Sequence, residues 1–169
     1  MVAITDLTTL AAADVVDADW LVIHDLSAGT DKKVARSSVL GLSGTWTPRI
    51  EFGGGTTGIT YSLQTGYYHT VGNRVWISAA ITLSNKGSST GTATVAGLPF
   101  TLSSVAVVMP VFFGGLASGA VNMAGFFSTV GSASVTLRHL AAAGTSWSTS
   151  TDALFANTTS IYMTGDFLT

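Results

Sequence analysis

Side chains able to carry acid–base chemistry are few in this sequence. From Gly44 onward it offers three carboxylates, Glu51, Asp152 and Asp166, whereas glycoside hydrolysis takes two, set across the scissile bond. Glu51 falls two residues from Arg49 in a strand-like run, so the two share a face, the pattern of a surface ion pair. His24, His69 and His139 are far apart, with no second ligand type at metal spacing. No serine lies in G-x-S-x-G. The Gly-rich stretch Gly53 to Gly58 lacks the Lys-Ser/Thr ending of a phosphate loop and precedes a strand-like run. There is no cysteine, which removes thiol nucleophiles, thiolate metal sites and disulfides together. The inventory predicts a protein that is not an enzyme and uses no metal or cofactor.

The aromatic residues carry more information. Trp147 lies in a polar loop, Gly144 to Asp152, with no apolar neighbour in sequence. An indole so placed stacks on a ligand such as a sugar face, plugs a subunit boundary, or joins a satellite core. With Arg138, His139 and Asp152, which flank the loop, it makes a candidate ligand-binding set. Tyr67 and Tyr68 are adjacent in a strand and therefore face opposite sides. Trp76 interrupts the polar face of a long strand. Trp76, Tyr68, Phe112 and Phe113 are the candidate subunit-interface residues.

The elements that would position these residues are strands. From Arg74 to Ser84 the odd positions Val75, Ile77, Ala79, Ile81 and Leu83 are apolar, and Ser78, Thr82 and Ser84 punctuate the even face, the alternation of a half-buried strand. Further strand-like runs are Thr47 to Phe52, Ile59 to Leu63, Tyr67 to Val71, Thr90 to Ala96, Val105 to Phe113, Val121 to Val130, Val135 to Leu140 and Ser160 to Phe167. They are separated by Gly, Ser and Asn, with Thr65-Gly66 expected to break the second run from the third. The uncharged stretch from Val105 to Phe127 has the length of a membrane helix, but Pro110, the Gly114-Gly115 pair and the β-branched clusters favour two strands joined by a turn. An all-β domain follows, a β-sandwich or jelly roll.

Composition divides the chain near Gly41 to Gly44. Six of the nine acidic residues and three of the seven basic ones precede that point, and the 126 residues after it share seven charges. The first region, residues 1–43, holds a hairpin pattern: Trp20 to Asp25, a turn at Ser27 to Thr30, and Lys32 to Arg36. Such a hairpin is marginal alone and needs sister chains or a larger body. The second region, residues 44–169, is the β domain. Charged residues make up 9% of the chain, against roughly 25% in ordinary soluble domains, so the surface is expected to be covered by further copies. The seven basic residues are scattered and the net charge is −2, which excludes the electrostatic footprint of a nucleic-acid binder. The N-terminus lacks the basic start and apolar stretch of a secretory signal.

Gly44-Thr-Trp-Thr-Pro-Arg-Ile-Glu-Phe-Gly-Gly, Ile59-Thr-Tyr-Ser-Leu-Gln-Thr-Gly-Tyr-Tyr-His-Thr-Val-Gly-Asn-Arg-Val-Trp and Leu83 to Gly97-Leu-Pro-Phe100 resemble the β domain found at the C-termini of phage tail fibres and spikes. The N-terminal pattern of Ile4-Thr-Asp-Leu, Asp17-Ala-Asp-Trp-Leu and Gly29-Thr-Asp-Lys-Lys-Val is similar to the particle-proximal segments of such proteins. The resemblance implies a homotrimeric, jelly-roll-like β-sandwich on a virion, in contact with other virion proteins and with host-surface polysaccharide. It also implies attachment to the particle through the N-terminal hairpin, with Trp20, Leu21 and Ile23 as candidates. A short spike or fibre is the leading expectation, and a capsid decoration protein without a receptor role is the alternative.

Overall fold

A computed structural model describes residues 20–25, 27–35, 39, 41–103, 106–127, 129–142 and 146–169. The alternation of apolar and short polar residues folds as strands nearly throughout. The chain divides between Leu42 and Ser43 into two units.

In the first unit β1 (Trp20–Asp25) and β2 (Thr30–Ala35) form an antiparallel hairpin, with Trp20 opposite Ala35 and Asp25 opposite Thr30. Trp20 and Leu21 are exposed. Ile23 pairs with Lys32 in the ladder, and its side chain lies outside the described part.

The second unit begins within β3 (Leu42–Trp46) and continues through β4 (Arg49–Phe52), β5 (Ile59–Val71), β6 (Arg74–Lys86), β7 (Ala93–Ala96), β8 (Val107–Gly114), β9 (Asn122–Phe127), β10 (Ser134–Leu140), β11 (Ser148–Thr149) and β12 (Ser160–Leu168), with a 3-10 turn at Asp152–Leu154. The expected two-sheet sandwich is met as one sheet of ten strands in the order β3-β5-β6-β12-β8-β9-β10-β7-β4, with β11 added beside β10. Its first and last strands, β3 and β4, are separated in sequence by Thr47 and Pro48 alone, so the sheet curls until its ends meet. Proline supplies no N–H for a ladder, which breaks the expected Thr47–Phe52 strand and lets β3 and β4 join opposite ends. The uncharged stretch is β8 and β9 with a turn between them, and no helix of the described residues is long and apolar enough to cross a membrane.

The inner face of the curl is one core. It takes Val75, Ile77, Ala79, Ile81 and Leu83 from β6, Ile161, Met163 and Phe167 from β12, and Ile50, Phe52, Val95, Met123, Phe127, Val135 and Leu137 from the other strands. Phe127 and Phe167 meet edge to face at 4.8 Å, and Phe52 meets Phe155 at 5.1 Å, the geometry that aromatic quadrupoles favour.

The expected break at Thr65-Gly66 does not occur, because β5 runs through it for 13 residues. Gly66 is needed for room: a Cβ there would lie 2.5 Å from the Trp46 indole nitrogen. The Trp46 Nε1–H donates to the Tyr67 carbonyl at 3.2 Å, fixing β3 against β5.

Candidate functional site: the outer face of the curled sheet

Strand parity decides what the outside of the curl presents. With the odd residues of β6 inward, Arg74, Trp76, Ser78, Ala80 and Thr82 point outward. The register extends this across neighbouring strands: Thr65, Ala80, Tyr162 and Phe112 form one row, Tyr67, Ser78 and Thr164 a second, and His69, Trp76 and Asp166 a third. Large apolar side chains stand exposed here, with Phe112 72%, Tyr67 58%, Tyr162 41% and Trp76 40% open, beside Leu63, Val71, Val108 and Leu168. Between the aromatic walls lies a hollow of ≈ 450 Å³ with Thr65, Ser78, Ala80 and Thr164 in its lining. The Thr164 hydroxyl donates to the Ile77 carbonyl at 3.2 Å.

Charge is confined to the margin of this face. Arg74 pairs with Asp166 at 2.5 Å, and its guanidinium lies 5.3 Å from the Trp76 ring centre. His69 is 5.9 Å from the same indole and exchanges a 2.8 Å hydrogen bond with the Ser43 hydroxyl. Elsewhere Arg49 bonds Glu51 at 2.7 Å, as their spacing predicts.

Beyond β8 the outer face continues over β9 and β10. Pro110 lines both the first hollow and a second one of ≈ 330 Å³, shared by Val108, Asn122, Ala124 and Trp147. Trp147 packs edge-on against Phe126 at 5.7 Å, and the Arg138 guanidinium lies 5.1 Å from the same ring. Two members of the candidate ligand-binding set therefore converge on a phenyl ring that sequence reasoning did not single out.

The other two members go elsewhere. His139 points toward Ser150, whose hydroxyl is 3.2 Å from Nδ1. Asp152 accepts the Gly91 amide at 2.9 Å and the Lys86 ammonium at 3.3 Å. The Gly91 N–H first, and then Lys86, hold its carboxyl below the usual carboxylate range. That carboxylate ties the 3-10 turn to β6 and to the loop before β7.

The four interface candidates also divide. Trp76 and Phe112 stand on the outer face. Tyr68 and Phe113 do not: both pack against the core, because their parity turns them inward, and Tyr68 meets Phe100 edge to face at 5.0 Å. Gly44 makes space for Tyr68, since a Cβ there would fall 2.5 Å from its hydroxyl. Sequence reasoning missed Tyr162 and Val108, although alternation against Met163 and Met109 was a usable signal for each. Among the described residues no three His, Cys, Asp or Glu side chains gather where a metal ion would sit.

The curl has a counterpart in a solved structure. The fold is shared with part of a tailspike. In the crystal structure of the Dettilon tailspike protein (gp208), a match with a TM-score of 0.61 and 22% identity covers 74% of this chain. It covers 23% of the tailspike chain, so this protein corresponds to less than a quarter of that one. No family model and no curated protein matches the sequence.

Proposed function

We propose that this protein is a virion structural component, a homotrimeric spike or short fibre of a phage-like particle. Residues 1 to about 43 attach it to the particle, and the curled sheet of the remainder contacts a host-surface glycan or receptor. The observation that carries this reading is the tailspike-like curl. The scarcity of charge and the exposed aromatic outer face support assembly into several copies. The Trp147, Phe126 and Arg138 cluster supports a ligand contact, since an indole and a guanidinium gathered on one phenyl ring offer a stacking face and a hydrogen-bond donor for a sugar. No reaction is proposed: in residues 43–169 each of the three carboxylates is engaged by its own cation. On this reading the protein is assembled in the bacterial cytoplasm and is extracellular on the finished particle.

A chain that matches less than a quarter of a tailspike also suits a second role, a capsid decoration protein that stabilises the shell. Imaging of particles carrying tagged protein separates the two. A tail or spike position, with particles that bind host envelope fractions, supports the first. A position across capsid junctions, with shells that fall apart when the protein is removed, replaces it with the second.

A further inference from the structure

We infer that the outer face of β5, β6, β12 and β8, with its aromatic-walled hollow, is where one copy of this chain packs against the next. The inference rests on the multi-copy reading above and names the surface that carries it.

Area is the first argument. On a scale of about 150–250 Å² per aromatic side chain, Tyr67, Trp76, Phe112 and Tyr162 together leave roughly 400 Å² open. Leu63, Val71, Val108 and Leu168 enlarge the same surface. The aromatic part alone already falls within the roughly 300–600 Å² of the largest patch on a typical monomer, which is often functional. The four aromatics by themselves supply about half of the ~800 Å² that each partner contributes to a standard stable interface, and the aliphatic neighbours add to it.

Charge is the second. Around a threefold axis the same face of every copy turns toward the axis, so excess charge of one sign on it would be gathered there and repel. Here the charged pair at the margin, Arg74 and Asp166, neutralises itself, and the rows inside that margin hold Thr, Ser, Ala, Tyr and Phe. Chemistry of the hollow is the third. Its walls are carbon-rich, no charged side chain lines it, and its polar groups are the hydroxyls of Thr65, Tyr67, Ser78, Tyr162 and Thr164, the last donating to the Ile77 carbonyl. With no charged group or amide in the lining to pair with several sugar hydroxyls at once, a sugar would recover only part of its hydration there. An apolar side chain from a neighbouring copy loses nothing comparable and gains burial.

The absence of cysteine provides a clean test. Single-cysteine variants Tyr162→Cys, within the face, and Val130→Cys, exposed in the turn after β9, are treated with a maleimide in the full-length protein, alongside sedimentation of the wild type. At micromolar protein the thiol introduced at position 162 is expected to react at least ~10-fold more slowly than the one at 130, and to catch up on dilution. Phe112→Asp is expected to weaken self-association about 100-fold, a loss typical of a central aromatic anchor, with an unchanged circular dichroism spectrum. Equal labelling at both positions in an assembled protein, or an assembly that survives Phe112→Asp, overturns the inference. Loss of host-envelope binding in a Phe112→Asp protein that stays assembled also overturns it and gives the face to a ligand.

Failure of the wider reading is distinguishable. A wild type that is monomeric yet found on particles sinks the inference and spares the virion role. A dimer held by this face, or an assembly never found on particles, does the reverse.

Discussion

The phenolic oxygen of Tyr61 in β5 lies 3.0 Å from the amide nitrogen of Ile50 in β4 and 3.4 Å from its carbonyl oxygen. Tyr61 accepts from the one and donates to the other, so a single side chain satisfies the open edge of β4. The two strands stand toward opposite ends of the sheet order, and this contact spans the seam that curling brings together. Ile50 is fully buried, so its backbone groups have no water to turn to. Tyr61→Phe is expected to cost about 1–3 kcal/mol, the penalty for leaving buried backbone groups unsatisfied. Urea unfolding at neutral pH should show a lower midpoint with an unchanged slope. A variant as stable as the parent would mean that the seam does not depend on this hydroxyl.

The same hydroxyl gives the fold an alkaline limit. Burial pushes the Tyr61 phenol above its ordinary value of 10.0, with the Ile50 hydrogen bond opposing in part. The folded state then holds its proton more tightly than the unfolded chain. Its contribution is complete below about pH 10 and is lost as pH rises through the higher folded value. Tyr61→Phe should flatten that part of a stability-against-pH curve, and an equally steep alkaline decline in the variant would assign it to other groups.

At the acid end Asp152 acts in the opposite sense. Its folded carboxyl is held low, chiefly by the Gly91 amide and then by Lys86. Its stabilisation is therefore present above the ordinary carboxylate pKa and lost as pH falls through the lower folded value. Asp152→Asn keeps an acceptor for Gly91 but removes the charge opposite Lys86, whereas Asp152→Ala removes both. Melting temperatures at pH 7 should fall in the order parent, Asn, Ala, and in acid the parent should converge on Asn, which also keeps an uncharged acceptor for Gly91, while Ala stays below both. Retained host binding in Asp152→Asn would agree with a structural role for this residue.

Two glycines separate crowding from open space. At Gly66 a Cβ would collide with the Trp46 indole, while at Gly119 it would meet nothing within 4 Å. Gly66→Ala is expected to cost about 1–3 kcal/mol, the range for overpacking a filled interior. Gly119→Ala should stay within about 0.5 kcal/mol of the parent. Thermal melts of the pair check this, and equal effects would show that β3 yields around the extra methyl.

How far the sequence could be read depended on the range of the cause. The β1–β2 hairpin and the alternation of β6 are local and were legible. The place of β12 was not, because its partners in β6 lie some eighty residues away, as Ser160 and Thr82 do. Gly66 reads as a turn in sequence because its real reason, the Trp46 ring, arrives from another strand. Parity of the tyrosine pair was undecidable for a similar cause: irregular register around Tyr61 in β5 breaks any count carried from the strand's start. Asp152 looked available for a ligand because Gly91, its main partner, is 61 residues off. Trp147 and Arg138 were found as separate residues, and only the register that sets Thr136 beside Phe126 shows the ring on which they meet.

That meeting point yields a prediction that separates recognition from packing. Trp147 is half-buried, touching Phe126 by an edge while Arg138 lies against the same ring. If the indole is kept for a glycan, Trp147→Ala forfeits an aromatic contact of about 0.5–1.5 kcal/mol beyond its buried area and leaves the fold intact. Binding of host polysaccharide should then drop at least ~10-fold per site, and more on intact particles, where many copies act together. Phe126→Ala should lower binding as well, since it removes the ring that positions both partners. A core indole would behave otherwise, with Trp147→Ala losing about 3–5 kcal/mol and polysaccharide binding following the folded fraction alone. Isothermal binding and urea unfolding on the same two variants distinguish these outcomes, because a recognition residue moves the first and a packing residue the second.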